Sequence, residues 1–345
     1  MAVIRVGLDP PYEIHIGKGA LALLPSVVRL EGRRVLVVTD STVARIHLNA
    51  ALGALGGAKG LAALSFVVIP AGERNKNLKA VEKIYGAMHE MNLDRGGLVV
   101  ALGGGVVGDV AGFAAATWCR GVGCVQVPTT VLAISDSSVG GKTGVDYRGR
   151  KNGVGAFFQP EAVIADTSLL STLPEREFSN GMAEVIKYAM IGDPALLDLL
   201  ESEKPPVEEI LERSVRVKVA IVERDPKEKG DRALCNFGHT FGHAIESWYK
   251  YRKWLHGEAV ALGMAIACPD ARLARVLERW KLPVRDPALD LRSLAGLVGM
   301  DKKNENGTLR FIRVDSPGKP RIEKLDAAGV EKLISDAAAR QGNAR

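Results

Sequence analysis

The run Leu98-Val99-Val100-Ala101-Leu102-Gly103-Gly104-Gly105-Val106-Val107-Gly108-Asp109 constrains the fold more than any other stretch of this chain. An unbroken apolar run of that length, ended by a turn signal, reads as a buried strand. The glycines behind it allow a tight turn and let the backbone approach a dinucleotide pyrophosphate closely. Gly103 to Gly108 satisfies G-x-G-x-x-G, and it follows a strand and precedes a helix. It is not on the first strand, however, and the acidic residue, Asp109, comes directly behind it instead of well downstream. An ordinary Rossmann domain is therefore disfavoured, and a different nucleotide-binding α/β arrangement is expected.

The rest of the first half fits such a sheet. Val35-Leu36-Val37-Val38-Thr39, Leu64-Ser65-Phe66-Val67-Val68-Ile69 and Cys124-Val125-Gln126-Val127 are further strands, with helical stretches between them. Polar or turn residues stand at their carboxyl ends: Asp40, Pro70-Ala71-Gly72-Glu73 and Pro128-Thr129-Thr130. Ligands of open α/β sheets bind there. From about residue 176 the periodicity turns helical, with helices expected at Met182 to Met190, Val207 to Ile221, Phe241 to Tyr249 and Ala259 to Ala267. A chain of 345 residues exceeds what one core usually supports. The expectation is an α/β domain over residues 1–175 with a mostly parallel sheet, joined near Leu173-Pro174-Glu175 to an all-α domain over residues 176–345.

Composition narrows the class. The net charge of +6 comes from lysines and arginines spread along the chain, without arginine-rich blocks or aromatic interleaving. That argues against nucleic acid and for an anionic small molecule. Cys119, Cys124, Cys235 and Cys268 form no C-x-x-C pair, as befits a reducing compartment. The N-terminus lacks the basic and apolar regions of a signal peptide, and no apolar run is long enough to span a bilayer, so a cytoplasmic protein with no membrane partner is expected.

Chemistry concentrates in the second half. Asn236 to Glu246, followed by His256-Gly257-Glu258, holds three of the six histidines. A lone histidine is more often structural, but three in one stretch, flanked by glycines that leave room for a ligand, favour metal or proton chemistry. His239 and His243, four apart, share a helix face and are the natural ligand pair by spacing. Glu184 and Lys187 share a face too, so a surface ion pair is the plain reading. The apolar neighbours Met182, Ala183, Val185 and Ile186 speak for a buried carboxylate that a metal would satisfy. In Ser137-Ser138-Val139-Gly140-Gly141-Lys142-Thr143 the end resembles a Walker A loop, but Asp136 stands where its first glycine belongs, which excludes an ATPase. Asp136, Lys142 and Lys151 instead suit a phosphorylated, hydroxylated ligand, with a solvated charged loop as the equally plain alternative.

In sequence order, these segments and several others resemble the 3-dehydroquinate synthases. The resemblance runs through Pro70 to Glu73, Gly103 to Asp109, Gly112-Phe113-Ala114-Ala115-Ala116-Thr117, Gln126 to Thr130, Asp136 to Gly144, Lys151-Asn152, Leu173-Pro174-Glu175-Arg176-Glu177, Glu184 to Tyr188, Asn236 to Glu246, His256 to Glu258 and Asp301-Lys302-Lys303. It implies that Glu184, His239 and His256 hold Zn2+ or Co2+ with a position open to substrate, which overrules the spacing argument and gives His243 a catalytic role near the substrate phosphate. It implies NAD over Gly104, Gly105 and Asp109, with Asp40, Glu73, Lys76, Thr129, Thr130, Lys142, Lys151 and Thr172 around it. Asp136, Lys142, Lys187, Asn236 and His243 are the implied catalytic residues. Lys151, Asn152, Lys218, Glu228, Arg232 and Lys302 are implied to bind substrate, and Arg120 to reach in from the second subunit of a homodimer.

The implied substrate is a phosphorylated sugar acid, 3-deoxy-D-arabino-heptulosonate 7-phosphate. The implied reaction is transient oxidation by NAD, phosphate elimination, re-reduction and aldol closure to 3-dehydroquinate, with no net redox change. A metal-dependent polyol or glycerol-phosphate dehydrogenase and another sugar-phosphate cyclase are the rivals. Two departures from the usual family wording are Asp146, where asparagine is usual, and Cys268-Pro269-Asp270, which interrupts a helix; neither is expected to touch a residue of the chemistry.

Overall fold

The computed structural model describes residues 1–301 and 308–340. It divides into two compact units, Met1–Pro174 and a second beginning at Glu175. The strands of the first unit are β1 (Ala2–Val6), β2 (Tyr12–Gly17), β3 (Arg34–Asp40), β4 (Ala63–Ile69), β5 (Leu98–Gly103), β6 (Gly123–Pro128), β7 (Lys142–Tyr147), β8 (Arg150–Phe157) and β9 (Ala162–Asp166). Its helices are α1 (Leu24–Val27), α2 (Val43–Gly56), α3 (Leu78–Glu90) and α4 (Gly105–Thr117).

One seven-stranded sheet runs in the order β1-β2-β9-β6-β5-β3-β4. Only the edge pair β1–β2 is antiparallel; the other pairings in the sheet are parallel. The central strands are wholly buried because they are apolar on both faces. Leu36, Val38, Val99 and Ala101 enter one core with α3 and α4, whereas Val35, Val37, Leu98, Val100 and Leu102 enter another with α2. β4 lies on one side of β3 and β5 on the other, so the chain reverses direction there. The carboxyl ends of β3 and β5 flank that topological switch point, where such sheets bind ligands.

Asp166, at the end of β9, locks the segment after β2 to the sheet. It accepts backbone N–H bonds from Gly19 at 2.9 Å, Leu21 at 3.0 Å and Ser168 at 2.9 Å. Burial alone would raise its pKa, but the Ser168 hydroxyl and these amides together hold it below the ordinary carboxylate range.

The second unit contains α5 (Glu175–Ile191), α6 (Leu196–Glu201), α7 (Val207–Arg224), α8 (His239–Trp248), α9 (His256–Ala267), α10 (Ala271–Arg279), α11 (Leu291–Asp301) and α12 (Ala327–Arg340). It is helical as expected, with one correction to the all-α reading: β10 (Leu309–Val314) and β11 (Pro320–Leu325) pair antiparallel. Leu309, Phe311, Ile312 and Val314 of the hairpin are buried, and Phe311 meets Phe241 of α8 edge-on at 5.8 Å. Cys268-Pro269-Asp270 now has a physical account. Proline cannot continue α9, and the Asp270 side chain caps α10 by accepting the Leu273 N–H at 2.8 Å. Among the described residues no helix is long and apolar enough to cross a membrane.

Candidate active site

In the first unit, a polar cluster forms beside the switch point. Lys76, 6% exposed, donates to Asp109 Oδ2 at 2.5 Å and to Asn152 Oδ1 at 2.6 Å. Lys151 Nζ stands 3.7 Å from Glu73 Oε1. Burial by itself would push the Lys76 ammonium down, but the carboxylates of Asp109, Glu73 and Asp146 outweigh it and keep it above its ordinary range. Thus the segment after β4, the second turn of α4 and the β7–β8 hairpin bring opposite charges into one cluster from segments far apart in sequence.

The glycines of the strand–turn–helix are closely packed by neighbouring side chains. Gly104 precedes α4, and a Cβ there would meet the Thr130 methyl at 3.2 Å; at Gly105 it would meet the Ser137 hydroxyl at 3.0 Å. The Thr129 N–H bonds the Gly103 carbonyl at 2.9 Å, tying the end of β6 to that of β5. Asp136 lies on a π-helical turn, Ala133–Ser137, and Lys142 begins β7. The segment read as a charged loop is therefore a π turn leading into a hairpin. Asp40 accepts the N–H groups of Thr42 at 2.7 Å and Val43 at 3.0 Å, the start of α2. Thr172 pairs with the buried His47 at 2.8 Å, and Arg120 sits in the turn after α4.

Asp146 corrects the sequence reading. Its Oδ1 accepts the Asn152 N–H at 2.8 Å and its own N–H bonds the Lys76 carbonyl at 2.9 Å, so it touches two residues of the implied site. Asn152 has a φ of 49°, Arg120 of 69° and Glu228 of 56°. Three implied substrate residues thus occupy left-handed backbone conformations, which non-glycine residues adopt at some cost and which recur at functional sites. Nothing in the sequence signals this.

In the second unit α5 is nearly all buried, and Glu184 and Lys187 are each 1% exposed. They are not the surface pair that spacing suggested. Lys187 donates to Glu184 Oε2, while Glu184 Oε1 is buried with no hydrogen-bond partner among the described residues. The Nε2 atoms of His239 and His256 stand 3.5 and 3.7 Å from that oxygen. Ligand atoms of a tetrahedral site with bonds of about 2.0–2.2 Å lie about 3.4 Å apart. One carboxylate oxygen and two imidazole nitrogens at nearly this spacing fit a divalent ion, and one ion would satisfy the orphaned oxygen. Burial first, then the positive charges of Lys187, His256 and His243, depresses the His239 pKa well below its ordinary value, so the ring is neutral as a ligand must be.

His243 meets His239 edge-on with ring centroids 5.4 Å apart, and lies outside the Glu184–His239–His256 set. The helix-face pairing of His239 with His243 is accordingly not the one that gathers around Glu184. Asn236 donates to Glu228 Oε1 at 3.1 Å, Arg232 is 2% exposed and donates to the Pro226 carbonyl at 2.7 Å, and Lys218 is buried on α7. Lys302 lies outside the described residues.

The glycines around the histidines have another purpose than the one expected. A Cβ on Gly242 would sit 3.1 Å from Val260 Cα, and one on Gly263 would overlap the Gly238 carbonyl. Gly238 also has a φ of +79°. These glycines let α8 and α9 approach closely, which is what brings His239 and His256 together. Gly263→Ala should cost about 3 kcal/mol of stability, because overpacking here strikes backbone that cannot rotate away. Urea denaturation of the metal-free protein would measure it; an unchanged midpoint would refute the close-approach argument.

Sequence reasoning assigned no role to Glu258. Its carboxylate accepts the Leu255 N–H at 2.8 Å and is clamped by Arg176 at 2.7 and 2.8 Å, which fixes the start of α9 and hence His256. The glutamate three residues into a helix-start pattern was the available signal.

The parallel sheet and the helical unit that follows it have the fold of the sugar-phosphate cyclases. 2-deoxy-scyllo-inosose synthase, in complex with carbaglucose-6-phosphate, NAD+ and Co2+, matches with a TM-score of 0.86 at 27% identity over 97% of this chain and 100% of its own. The 2-epi-5-epi-valiolone synthase of Streptomyces hygroscopicus, with NAD+ and Zn2+ bound, matches with a TM-score of 0.84 at 27% identity over 95% and 97%. Family profiles for the N-terminal and C-terminal parts of 3-dehydroquinate synthase match residues 66–180 and 181–304. The 3-dehydroquinate synthase of Halorhodospira halophila is 45% identical over 89% of this chain and 91% of its own. The chain belongs to the 3-dehydroquinate synthase family.

Proposed function

We propose that this enzyme converts 3-deoxy-D-arabino-heptulosonate 7-phosphate to 3-dehydroquinate and phosphate, using NAD and a zinc or cobalt ion. Family membership supports the reaction, and the observation that carries the metal is the buried, unpartnered Glu184 Oε1 facing two imidazoles. When bound, the metal supplies Lewis-acid polarisation of a substrate oxygen, and NAD a reversible hydride acceptor. Residues 1–175 are the NAD-binding part in this reading, and residues 176–345 carry metal and substrate.

The chain's own groups suit these tasks. Lys187 neutralises one oxygen of Glu184 and leaves the other directed at the histidines. Lys76, held cationic, fixes Asp109 and the Asn152 side chain beside the glycine turn. Asn236 spends its N–H2 on Glu228 and keeps its carbonyl oxygen for a substrate hydroxyl. Lys151, Lys218, Arg232 and Lys302 supply the cations that a phosphate and a carboxylate require. A cytoplasmic homodimer with Arg120 completing its neighbour's site belongs to the same proposal.

Purified enzyme given the heptulosonate phosphate, zinc and NAD at a small fraction of the substrate should release phosphate and dehydroquinate far in excess of the NAD. Absorbance from NADH should stay flat, since hydride returns to the carbon it left. NADH rising in step with product would replace this reading with the dehydrogenase one.

A further inference from the structure

Two imidazoles are aimed at Glu184, and something must hold each ring in that orientation. For His239 the holder is local: Nδ1 lies 3.2 Å from the carbonyl oxygen of Phe237, a fully buried residue. For His256 the holder comes from another helix. Its Nδ1 instead lies 3.4 Å from Oε1 of Glu246, on the last turn of α8, whose side chain is 4% exposed. Both rings therefore have Nδ1 facing an oxygen acceptor and Nε2 facing the Glu184 oxygen. In both, an Nδ1–H donated to that acceptor leaves the Nε2 lone pair toward the metal position.

We propose that Glu246 is a positioning residue for the metal centre: it fixes the tautomer of His256 and, as an anion, makes that imidazole a stronger donor. The inference rests on the metal reading above. Its anchors are unequal, a neutral carbonyl for His239 and a carboxylate for His256. The need for the stronger one has a structural reason. His256 opens α9 and its side chain is 33% exposed, whereas that of His239 is 12% exposed, so surrounding packing restrains His256 less. Glu246 reaches it from α8, and the close glycine contacts between the two helices set that reach.

His243, Glu246 and His256 also lie close enough to form a ligand set of their own. Sharing His256, that set competes with the positioning role, and counting ions separates the two. The experiment is zinc binding to the full-length protein, by competition with a chromophoric chelator, for wild type, Glu246→Gln and Glu246→Asp. The expected result is one zinc per chain in all three, with Kd raised by about 10- to 100-fold in Glu246→Gln. Glu246→Asp, which keeps the charge but not the size, should bind zinc more tightly than Glu246→Gln, which keeps the size but not the charge. A merely space-filling role gives the reverse order. The visible absorption of the cobalt-loaded Glu246→Gln protein should also shift, while its metal-free melting temperature stays at the wild-type value. Zinc affinity in Glu246→Gln equal to wild type, or two zinc ions in wild type and one in Glu246→Gln, would overturn the positioning role. Absence of zinc binding by wild type would instead sink the metal reading itself.

Discussion

Replacing His256 by alanine is expected to strip the metal from the protein and cut turnover by about 10³-fold, the equivalent of the several kcal/mol of charge stabilisation that a Lewis acid provides. In the proposed set three ligand atoms fall to two, and the Glu184 oxygen loses one of its two imidazole neighbours. The side chain is 33% exposed, so the fold should tolerate the change. Metal content after dialysis and phosphate release from the heptulosonate phosphate are the two readouts. A variant that keeps a full zinc complement and wild-type turnover would remove His256 from the ligand set.

The second large effect belongs to the first unit. Lys76→Met removes the cation that pairs with Asp109 and bonds Asn152, leaving a carboxylate beside Glu73 and Asp136 without its partner. Breaking a buried pair from one side costs about 3–5 kcal/mol. If the cluster borders NAD as proposed, affinity for NAD should fall by about 10- to 100-fold as well, the worth of a charge-assisted bond. Adding Asp109→Asn to Lys76→Met should recover much of the stability, because the uncompensated charge goes with it, while NAD affinity stays low. Unchanged stability in the single variant would mean that the pair contributes nothing, and undiminished NAD binding would detach the cluster from the cofactor.

Much of this protein was legible in local patterns. Strands β3, β4, β5 and β6 correspond to the apolar runs found in sequence, and α5, α7, α8 and α9 to the helical periodicities. β9 and the β7–β8 hairpin were not singled out. Ala162-Val163-Ile164-Ala165-Asp166 is short, and the hairpin strands are rich in glycine and charge, so neither carries the long apolar run that marks β5. The β10–β11 hairpin is likewise brief, and half of its second strand is charged.

What the sequence alone determined about this protein is therefore the periodic part: an apolar sheet, a helical second half, a glycine turn behind β5 and a histidine-rich stretch. Burial and periodicity are local properties, repeated along neighbouring residues, and can be read without knowing what lies across the molecule. Which imidazoles join Glu184 was implied by family resemblance, but local spacing pointed elsewhere and gave no physical reason for it. Spacing on one helix favoured His239 with His243, but ligand distance depends on how closely α8 and α9 approach, and that rests on Gly238, Gly242 and Gly263 meeting the facing backbone. The burial of the Glu184–Lys187 pair, the convergence of Lys76, Asp109 and Asn152, and the anchoring of Asn152 by Asp146 are likewise products of chain crossing. Only the tertiary structure could set them, because each depends on which segments the fold packs together, and separation along the chain does not fix that.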